Sequence, residues 1–461
     1  MNPYRKLVKN TMIFAMGTFS SKVLVFLMMP FYTTVLSSEE YGLMDILVQT
    51  CNLLLPLATV GINNSVVRFG LEEGRDKRGI FSMGLCTILA GWGVLLLCWR
   101  GMDAIPFLSG YTLLILAYVL ASALHSLCNQ FARAMGYIRL YAVDGILRTV
   151  VTILLNIAFL AWFHWGVEGY LLASIFSDLT ASIFLVCVAK LWQYWSLSSL
   201  TKGIWLEMLR YSVPLIPTTI CTWIINISDR YMISYFLGLD ANAPYSAANK
   251  IPTVLIIVAN IFTESWQISA VEQEKEEGKE RFFSHVAEVY LSIACVTGSA
   301  LILFARVIMR ILTPNPDYSM AWQYIPVLVL ATTFACLASF LNSIYVVQKR
   351  SLGTFFTTAL AAIVNIALNL WLIPYWGVMG AGIATLCSYV VQFVVRLIHT
   401  RQYLRLHWDW VQLILSLALL TLQAGIMTLA LPNWIVWQGI LLCALIWLHS
   451  DSLRKAICKF C

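Results

Sequence analysis

The sequence predicts an all-α polytopic membrane protein with about fourteen transmembrane helices, and three observations carry that expectation. The 461-residue chain is 60% hydrophobic and only 11% charged, with a mean hydropathy of +0.79. A soluble domain of this length needs far more charge to stay dissolved. Apolar runs of about 20 residues recur from end to end, each long enough to cross the hydrocarbon core. Finally, the second half repeats the first. The string NIAFLAWFHWGVEG at Asn156 to Gly169 returns as NIALNLWLIPYWGVMG at Asn365 to Gly380. Asn156, Trp162, Trp165, Gly166 and Gly169 fall opposite Asn365, Trp371, Trp376, Gly377 and Gly380.

Taken in order, the apolar runs place spans near 10–36, 42–67, 79–99, 108–131, 141–163, 168–191, 211–237 and 244–270. Six more follow near 282–305, 321–347, 352–373, 378–400, 410–430 and 434–450. Each copy of the repeated string closes one span and opens the next. A duplication of several spans is the usual ground plan of a transporter, in which similar bundles alternate access to a site near the midplane.

Lysine and arginine set the orientation. With the N-terminus cytoplasmic, roughly 22 of the 30 basic residues lie on cytoplasmic segments and about 3 lie outside. The inner group includes Arg5, Lys6, Lys9, Arg75, Lys77, Arg78, Lys349, Arg350, Arg454, Lys455 and Lys459; Arg100, Arg306 and Arg310 are outside. Both termini are therefore expected in the cytoplasm. The net charge of +7 is a topological address, since no basic run is interleaved with stacking aromatics as nucleic-acid binding requires.

The residue pattern argues against an enzyme. Loops are short, and the longest, near 192–210 and 271–281, are too small for a catalytic domain. Ser196 to Arg210 reads as a surface helix linking the two halves, with Ile204, Leu206 and Leu209 along the interface. Glu272 to Arg281 reads as a solvated helical extension. The six histidines, His125, His164, His285, His399, His407 and His449, form no metal-ligand spacing and read mostly as interfacial residues. The twelve cysteines lie mostly inside spans, without CxxC spacing. No metal and no cofactor is expected.

Charges inside the spans are the informative residues, because burying them in hydrocarbon is costly unless they face water or a partner. Lys22 falls midway along the first span, Asp144 and Arg148 in the fifth, Asp229 and Arg230 in the seventh, and Lys250 in the eighth. Asp144 and Arg148, four residues apart, have the spacing of a pair along one helix. Asn226 shares a face with Arg230. Arg68 and Arg133 sit near cytoplasmic ends, where snorkelling accounts for them equally well. Asp178 and Glu264 are the remaining interior acids. Lys22, Arg148, Arg230 and Lys250 form a basic ladder suited to an anionic headgroup such as a diphosphate, with Arg68, Asn226 and Asp229 in support. Pro30, Pro56, Pro214, Pro217, Pro252 and Pro326 read as kinks at which bundles bend.

Three stretches carry a family resemblance. SDRYMISYFLGLDANAPYSAANKIP (Ser228 to Pro252), FYTTVLSSEEYGLMDILVQ (Phe31 to Gln49) and GINNSVVRFGLEEG (Gly61 to Gly74) resemble bacterial polysaccharide flippases. That family belongs to the multidrug/oligosaccharidyl-lipid/polysaccharide exporter superfamily. The resemblance implies two pseudo-symmetric six-helix bundles plus two C-terminal helices. The expected divisions are 1–195 for the first bundle, 196–406 for linker helix and second bundle, and 407–461 for the extra helices and tail. It implies a flippase carrying polyprenyl-diphosphate-linked oligosaccharide across a bacterial plasma membrane by alternating access, with membrane lipid and a coupling ion as partners. The alternatives are a lipid II or multidrug transporter of the same fold, or a membrane-embedded glycosyl or acyl transferase. Drug exporters typically carry an acidic cation site in the first span, whereas no Asp or Glu precedes Glu39 here.

The basic asymmetry yields a topology test. Reporter fusions after Arg78 and after Cys461 should report cytoplasm, and a fusion near Asp240 should report the outside. A C-terminus on the outer face would require an odd number of spans.

Overall fold

A computed structural model describes residues 26–72, 74–260, 279–348, 350–429 and 431–450. Lys22, Glu264 and the run from Glu272 to Gly278 lie outside the described residues. Within them the chain is helical, without a β-strand. Nine of the described helices are long and apolar enough to cross a membrane. By packing, the chain forms two compact units, Met1–Ile220 and Cys221–Cys461.

In unit 1 the longer described helices are α1 (Met29–Val35), α2 (Ser38–Ala58), α3 (Ile62–Leu71), α4 (Lys77–Leu97), α5 (Thr112–Ala134), α6 (Ile138–Asn156), α7 (Gly166–Val188) and α8 (Lys202–Ser212). Side-chain caps start two of them. Ser37 and Glu40 form a reciprocal capping box at α2, and the Asp76 carboxylate caps α4. α5 is the central helix, packed against α2, α3, α4, α6 and α7. Ile62, Val66, Phe69, Ile80, Leu127 and Phe131 bury their side chains in the shared core.

The linker helix α8 docks onto this core. Ser65 donates to the Met208 carbonyl at 2.6 Å, Met208 is fully buried, and Ile204 and Leu209 pack on the cluster. Leu206 alone of the three expected interfacial residues is well exposed. At the outer rim of the helix Arg75 pairs with Glu207 at 2.9 Å and Glu72 at 2.8 Å. These hydrogen bonds raise the Arg75 guanidinium and lower the Glu207 carboxyl from their ordinary values.

Unit 2 takes most of α9 (Ile216–Leu237), then α10 (Leu239–Ala248), α11 (Lys279–Leu312), α12 (Ile325–Val347), α13 (Ser351–Thr400), α14 (Trp410–Thr428) and α15 (Trp434–Leu448). α11 packs on α12, α14 and α15, and α12 on α13. Polar staples hold the last two helices. The buried His449 ring meets Ser292 and Ser416 at 2.8 Å and Gln412 at 2.9 Å. Gln438 donates to the Gln423 carbonyl, and Gln423 to that of Ser299.

The repeated string builds the same backbone device in each unit. Gly166 and Gly377 both have positive φ, 52° and 59°, a conformation that costs a side-chain residue strain. In unit 1 the turn follows a π-helical segment, Ile157–Trp162, at the end of α6. In unit 2 Gly377 breaks α13 into two arms. Gly169 and Gly380 allow close approach: a Cβ on Gly380 would lie 2.5 Å from the Leu372 carbonyl oxygen. Asn156 and Asn365 are fully buried, while Trp162, Trp165, Trp371 and Trp376 are exposed, as expected of an aromatic belt.

Pro30, Pro217, Pro252 and Pro326 stand in first turns, and Pro214 lies in the short 3₁₀ turn before α9. Pro214 and Pro217 sit where the helical run passes from α8 through a 3₁₀ turn into α9, and Pro30 and Pro252 follow turns that interrupt helical stretches, places where a missing N–H locally alters the helix. Pro56 alone of the six is inside its helix.

Gly380→Ala should therefore lose about 1–3 kcal/mol of stability through overpacking, measured as a fall in the unfolding midpoint of purified protein. Gly382→Ala, whose Cβ would meet Val327 at an ordinary 3.5 Å, should be close to neutral.

Candidate functional site

Each unit holds a cluster of polar side chains among its apolar helices. In unit 1, α5 supplies Ser122, His125 and Asn129 along one face, at helical spacing. α6 supplies Asp144 and Arg148, and α7 supplies Asp178. Both carboxylates are fully buried. Arg148 Nε and the Ser122 hydroxyl both donate to Asp178. Asp144 Oδ2 accepts from Asn129 at 2.7 Å and meets His125 Nε2 at 2.8 Å. The Arg148 side chain is 41% exposed.

Arg148 thus pairs across helices with Asp178, while its same-helix neighbour Asp144 is held by α5. Periodicity places Asp144 and Arg148 on one helical face, but the adjacent helices offer each a better-aligned partner. His125 lies inside this network rather than at an interface. Its helical register with Ser122 and Asn129 was the available sign, since three polar residues on one stripe of an apolar span mark an interior face.

In unit 2 the cluster is rich in oxygen. Asp229 Oδ1 accepts the Arg230 backbone N–H at 2.8 Å. Asp229 Oδ2 accepts from the Tyr245 hydroxyl and, at 3.3 Å, from Thr385. Asn365 Oδ1 accepts from Ser228 and Asn369, both at 2.9 Å, and its amide reaches Thr385 at 3.5 Å. Asn369 Oδ1 is buried and finds no hydrogen-bond donor among the described residues. This set joins one carboxylate to hydroxyl and amide groups from Ser228, Tyr245, Asn365, Asn369 and Thr385. Among the described residues no group of three His, Cys, Asp or Glu side chains is placed to hold a metal.

Of the sequence-predicted residues, Asn226 and Asp229 join this polar region. Asn226 accepts from the Tyr389 hydroxyl. Arg230 is buried beside Asp229. Lys250 lies in a turn, since α10 ends at Ala248 and the next helix starts at Pro252. Sequence hydropathy had run the eighth span straight through this break; Pro252 was its only local sign. Arg68 is exposed, with its guanidinium 4.3 Å from the Tyr211 ring centroid.

One buried cation had no signal beyond a position near a span end. Arg396, on α13, is 5% exposed. It donates to Thr357 at 3.0 Å, Thr358 at 2.9 Å and the Ala338 carbonyl at 2.8 Å. An arginine near a span end ordinarily reads as snorkelling; this one is fixed by three neutral acceptors.

An all-helical membrane fold with an internal repeat and polar clusters inside its spans defines a transporter-type protein, and the comparisons agree. A family model described as polysaccharide biosynthesis protein matches residues 7–268, and the MatE model matches residues 214–371. The chain belongs to the polysaccharide biosynthesis protein family, within the superfamily of multidrug, oligosaccharidyl-lipid and polysaccharide exporters. It has the fold of the lipid II flippase MurJ in its inward closed conformation, with a TM-score of 0.75 at 12% identity, covering 97% of this chain and 99% of that one. An inward-facing multidrug resistance transporter of the MATE family gives a TM-score of 0.69 at 14% identity, covering 84% and 98%. An uncharacterized membrane protein of Methanocaldococcus jannaschii is 28% identical over 201 residues. That alignment covers 42% of this chain and spans 39% of the relative's length.

The Arg148–Asp178 pair is testable as a pair. Asp178→Ala should cost about 3–5 kcal/mol by leaving the guanidinium without its counter-charge. Combining it with Arg148→Gln should cost less than the sum, with a coupling of about 0.5–3 kcal/mol in a chemical-unfolding cycle. Strict additivity would separate the two residues.

Proposed function

We propose that this protein is a flippase that moves a polyprenyl-diphosphate-linked oligosaccharide from the inner to the outer leaflet of a bacterial plasma membrane, for cell-surface polysaccharide synthesis. Membership of the polysaccharide biosynthesis protein family carries the reading. The cations at membrane depth supply its chemistry. Arg148, Arg230 and Lys250, together with Lys22, are assigned to the anionic headgroup, with Arg68, Asn226 and Asp229 in support. Guanidinium groups hold phosphate oxygens in a two-point fork, which the compact ammonium of lysine cannot match.

Transport in this reading makes and breaks no covalent bond. The loaded headgroup faces the cytoplasmic leaflet first and the outer leaflet after the conformational change, while the prenyl tail stays in lipid. Arg148 has the exposure to exchange Asp178 for a diphosphate oxygen. Lys250 stands where the helix is interrupted, and broken helices are where transporters expose backbone and side-chain polarity to a substrate. The oxygen cluster around Asp229 is assigned to a coupling cation. Both termini are assigned to the cytoplasm from the basic asymmetry.

Alanine at Lys22, Arg148, Arg230 or Lys250 should each reduce export while leaving protein in the membrane. Export per folded molecule is the deciding readout. Arg230→Lys should fall below wild type if the fork to phosphate is used. Normal export per folded molecule in all four alanine variants would rule the cationic headgroup site out.

A further inference from the structure

The repeat keeps a tryptophan beside the glycine turn of each unit but supports it differently. In unit 1 the Trp165 indole stacks on Phe159, with ring centroids 4.9 Å apart and planes at 28°, and on Phe163 at 5.2 Å and 25°. The two phenyl centroids are only 6.3 Å apart. Rings on opposite faces of an indole would stand at least about 7 Å apart, two contact layers of about 3.5 Å each. Both phenyls therefore lie against one face of Trp165, and Phe176 of α7 meets Phe159 edge-on at 6.3 Å. Trp165 is 47% exposed. In the register that pairs Trp162 with Trp371, Phe159 and Phe163 fall opposite Leu368 and Leu372. Unit 2 keeps the exposed Trp376 with leucine at both supporting positions.

The backbone fixes the unit 1 stack. Phe159 lies in the π-helical segment, where the Phe163 N–H donates to the Ala158 carbonyl at 3.0 Å, and the Trp165 N–H donates to the Phe159 carbonyl at 2.9 Å. Between the two rings His164 has a φ of 54°, an uncommon conformation for a residue with a side chain. A Cβ on Gly169 would lie 3.0 Å from the Trp165 Cβ and 3.1 Å from that of Phe159, so glycine there leaves room for the stack. A tryptophan that only anchors a helix end in the headgroup layer needs exposure. A ring held in one orientation is what a stacking ligand needs, because no freedom is lost when the ligand arrives.

The polar groups beside the stack are carboxylates. Glu40 Oε1 stands 2.8 Å from where a Cβ on Gly166 would sit, while its Oε2 accepts the Ser37 N–H. Glu168 is exposed in the first turn of α7. Both act on the Tyr111 hydroxyl at the start of α5, so the three groups share one rim. Negative charge here repels lipid phosphates and accepts hydrogen bonds from hydroxyl groups.

We propose that Trp165, propped by Phe159 and Phe163 and rimmed by Glu40 and Glu168, is a stacking platform for a sugar ring of the lipid-linked substrate. One face of a pyranose presents C–H groups, whose slight positive charge suits the negative face of an indole. Its edge presents hydroxyls, which suit carboxylates. The platform lies at the end of unit 1 assigned to the outer leaflet, where the oligosaccharide emerges. The assignment rests on reading the substrate as a lipid-linked oligosaccharide.

A polyprenyl diphosphate carrying an oligosaccharide of pyranose rings, and the same lipid without sugar, are titrated into the full-length protein in lipid nanodiscs. With fluorotryptophan-labelled protein, fluorine NMR signals of Trp165 and Trp376 are assigned by their loss in Trp165→Phe and Trp376→Phe. The sugar-bearing lipid should shift the Trp165 signal, and the sugarless lipid should not. Trp165→Leu, or Phe159→Leu with Phe163→Leu if that variant folds poorly, should weaken the sugar-bearing lipid roughly two- to tenfold, the range for one ring contact. Affinity for the sugarless lipid should not change, and Trp376→Leu should affect neither lipid. The platform is overturned if the Trp165 signal ignores the bound sugar-bearing lipid or moves equally with the sugarless one. It is also overturned if Trp165→Leu binds like wild type or weakens binding no more than Trp376→Leu. Each of those results leaves the flippase reading standing. If the sugar-bearing lipid does not bind the folded wild type at all, the platform and the flippase reading fall together.

Discussion

Inside a bilayer a polar group has no water to fall back on, and this constraint organises the molecule. Backbone polarity is settled by making every described element a helix. Side-chain polarity is settled by networks within each unit, where serine, threonine, asparagine and tyrosine meet the carboxylates and guanidiniums one by one. His449 illustrates the principle without any charge: its ring is fully buried, and three hydrogen-bonding side chains from α11 and α14 surround it. Arg396 illustrates it with charge, held by two threonines and a carbonyl.

The repeat preserved the turn and changed the interior. Glycines with positive φ and a buried asparagine recur in both units, because the backbone geometry there admits few alternatives. In the register that pairs Asn156 with Asn365, Arg148 falls opposite Thr357. In the register that pairs Gly169 with Gly380, Asp178 falls opposite Tyr389. Unit 1 therefore carries an acid–arginine–histidine cluster where unit 2 carries neutral hydroxyls, and Thr357 instead accepts from Arg396. The two units have diverged in chemistry on a common scaffold.

Fold-level features were legible because they depend on local chemistry. Apolar runs, the repeated string and the glycine turns can be read residue by residue, although the expected spans 42–67 and 244–270 are each broken by a turn, at Thr59–Gly61 and at Asn249–Ile251. Partner choice was less legible. Helical periodicity set Asp144 and Arg148 on one face, but the rotation of α5 and α7 decided that Asp178 meets Arg148 and that His125 and Asn129 meet Asp144. Arg396 was hidden by its place near a span end, where an arginine that reaches for water and one locked into the interior read alike. Pro252 marked the break beside Lys250, yet in a run of apolar residues a proline at a helix start and one inside a span look the same until the chain folds.

The proposed activity is movement of a lipid-linked sugar between leaflets. Vesicles reconstituted with the purified protein and a fluorescent polyprenyl-diphosphate-linked oligosaccharide, loaded initially on one leaflet, measure that directly through quenching by an impermeant reagent on the other side. Quenching should rise with time and protein amount, and fall sharply with Arg148→Ala. Fluorescence that stays protected at the rate of protein-free vesicles, with folded protein in the bilayer, would contradict it.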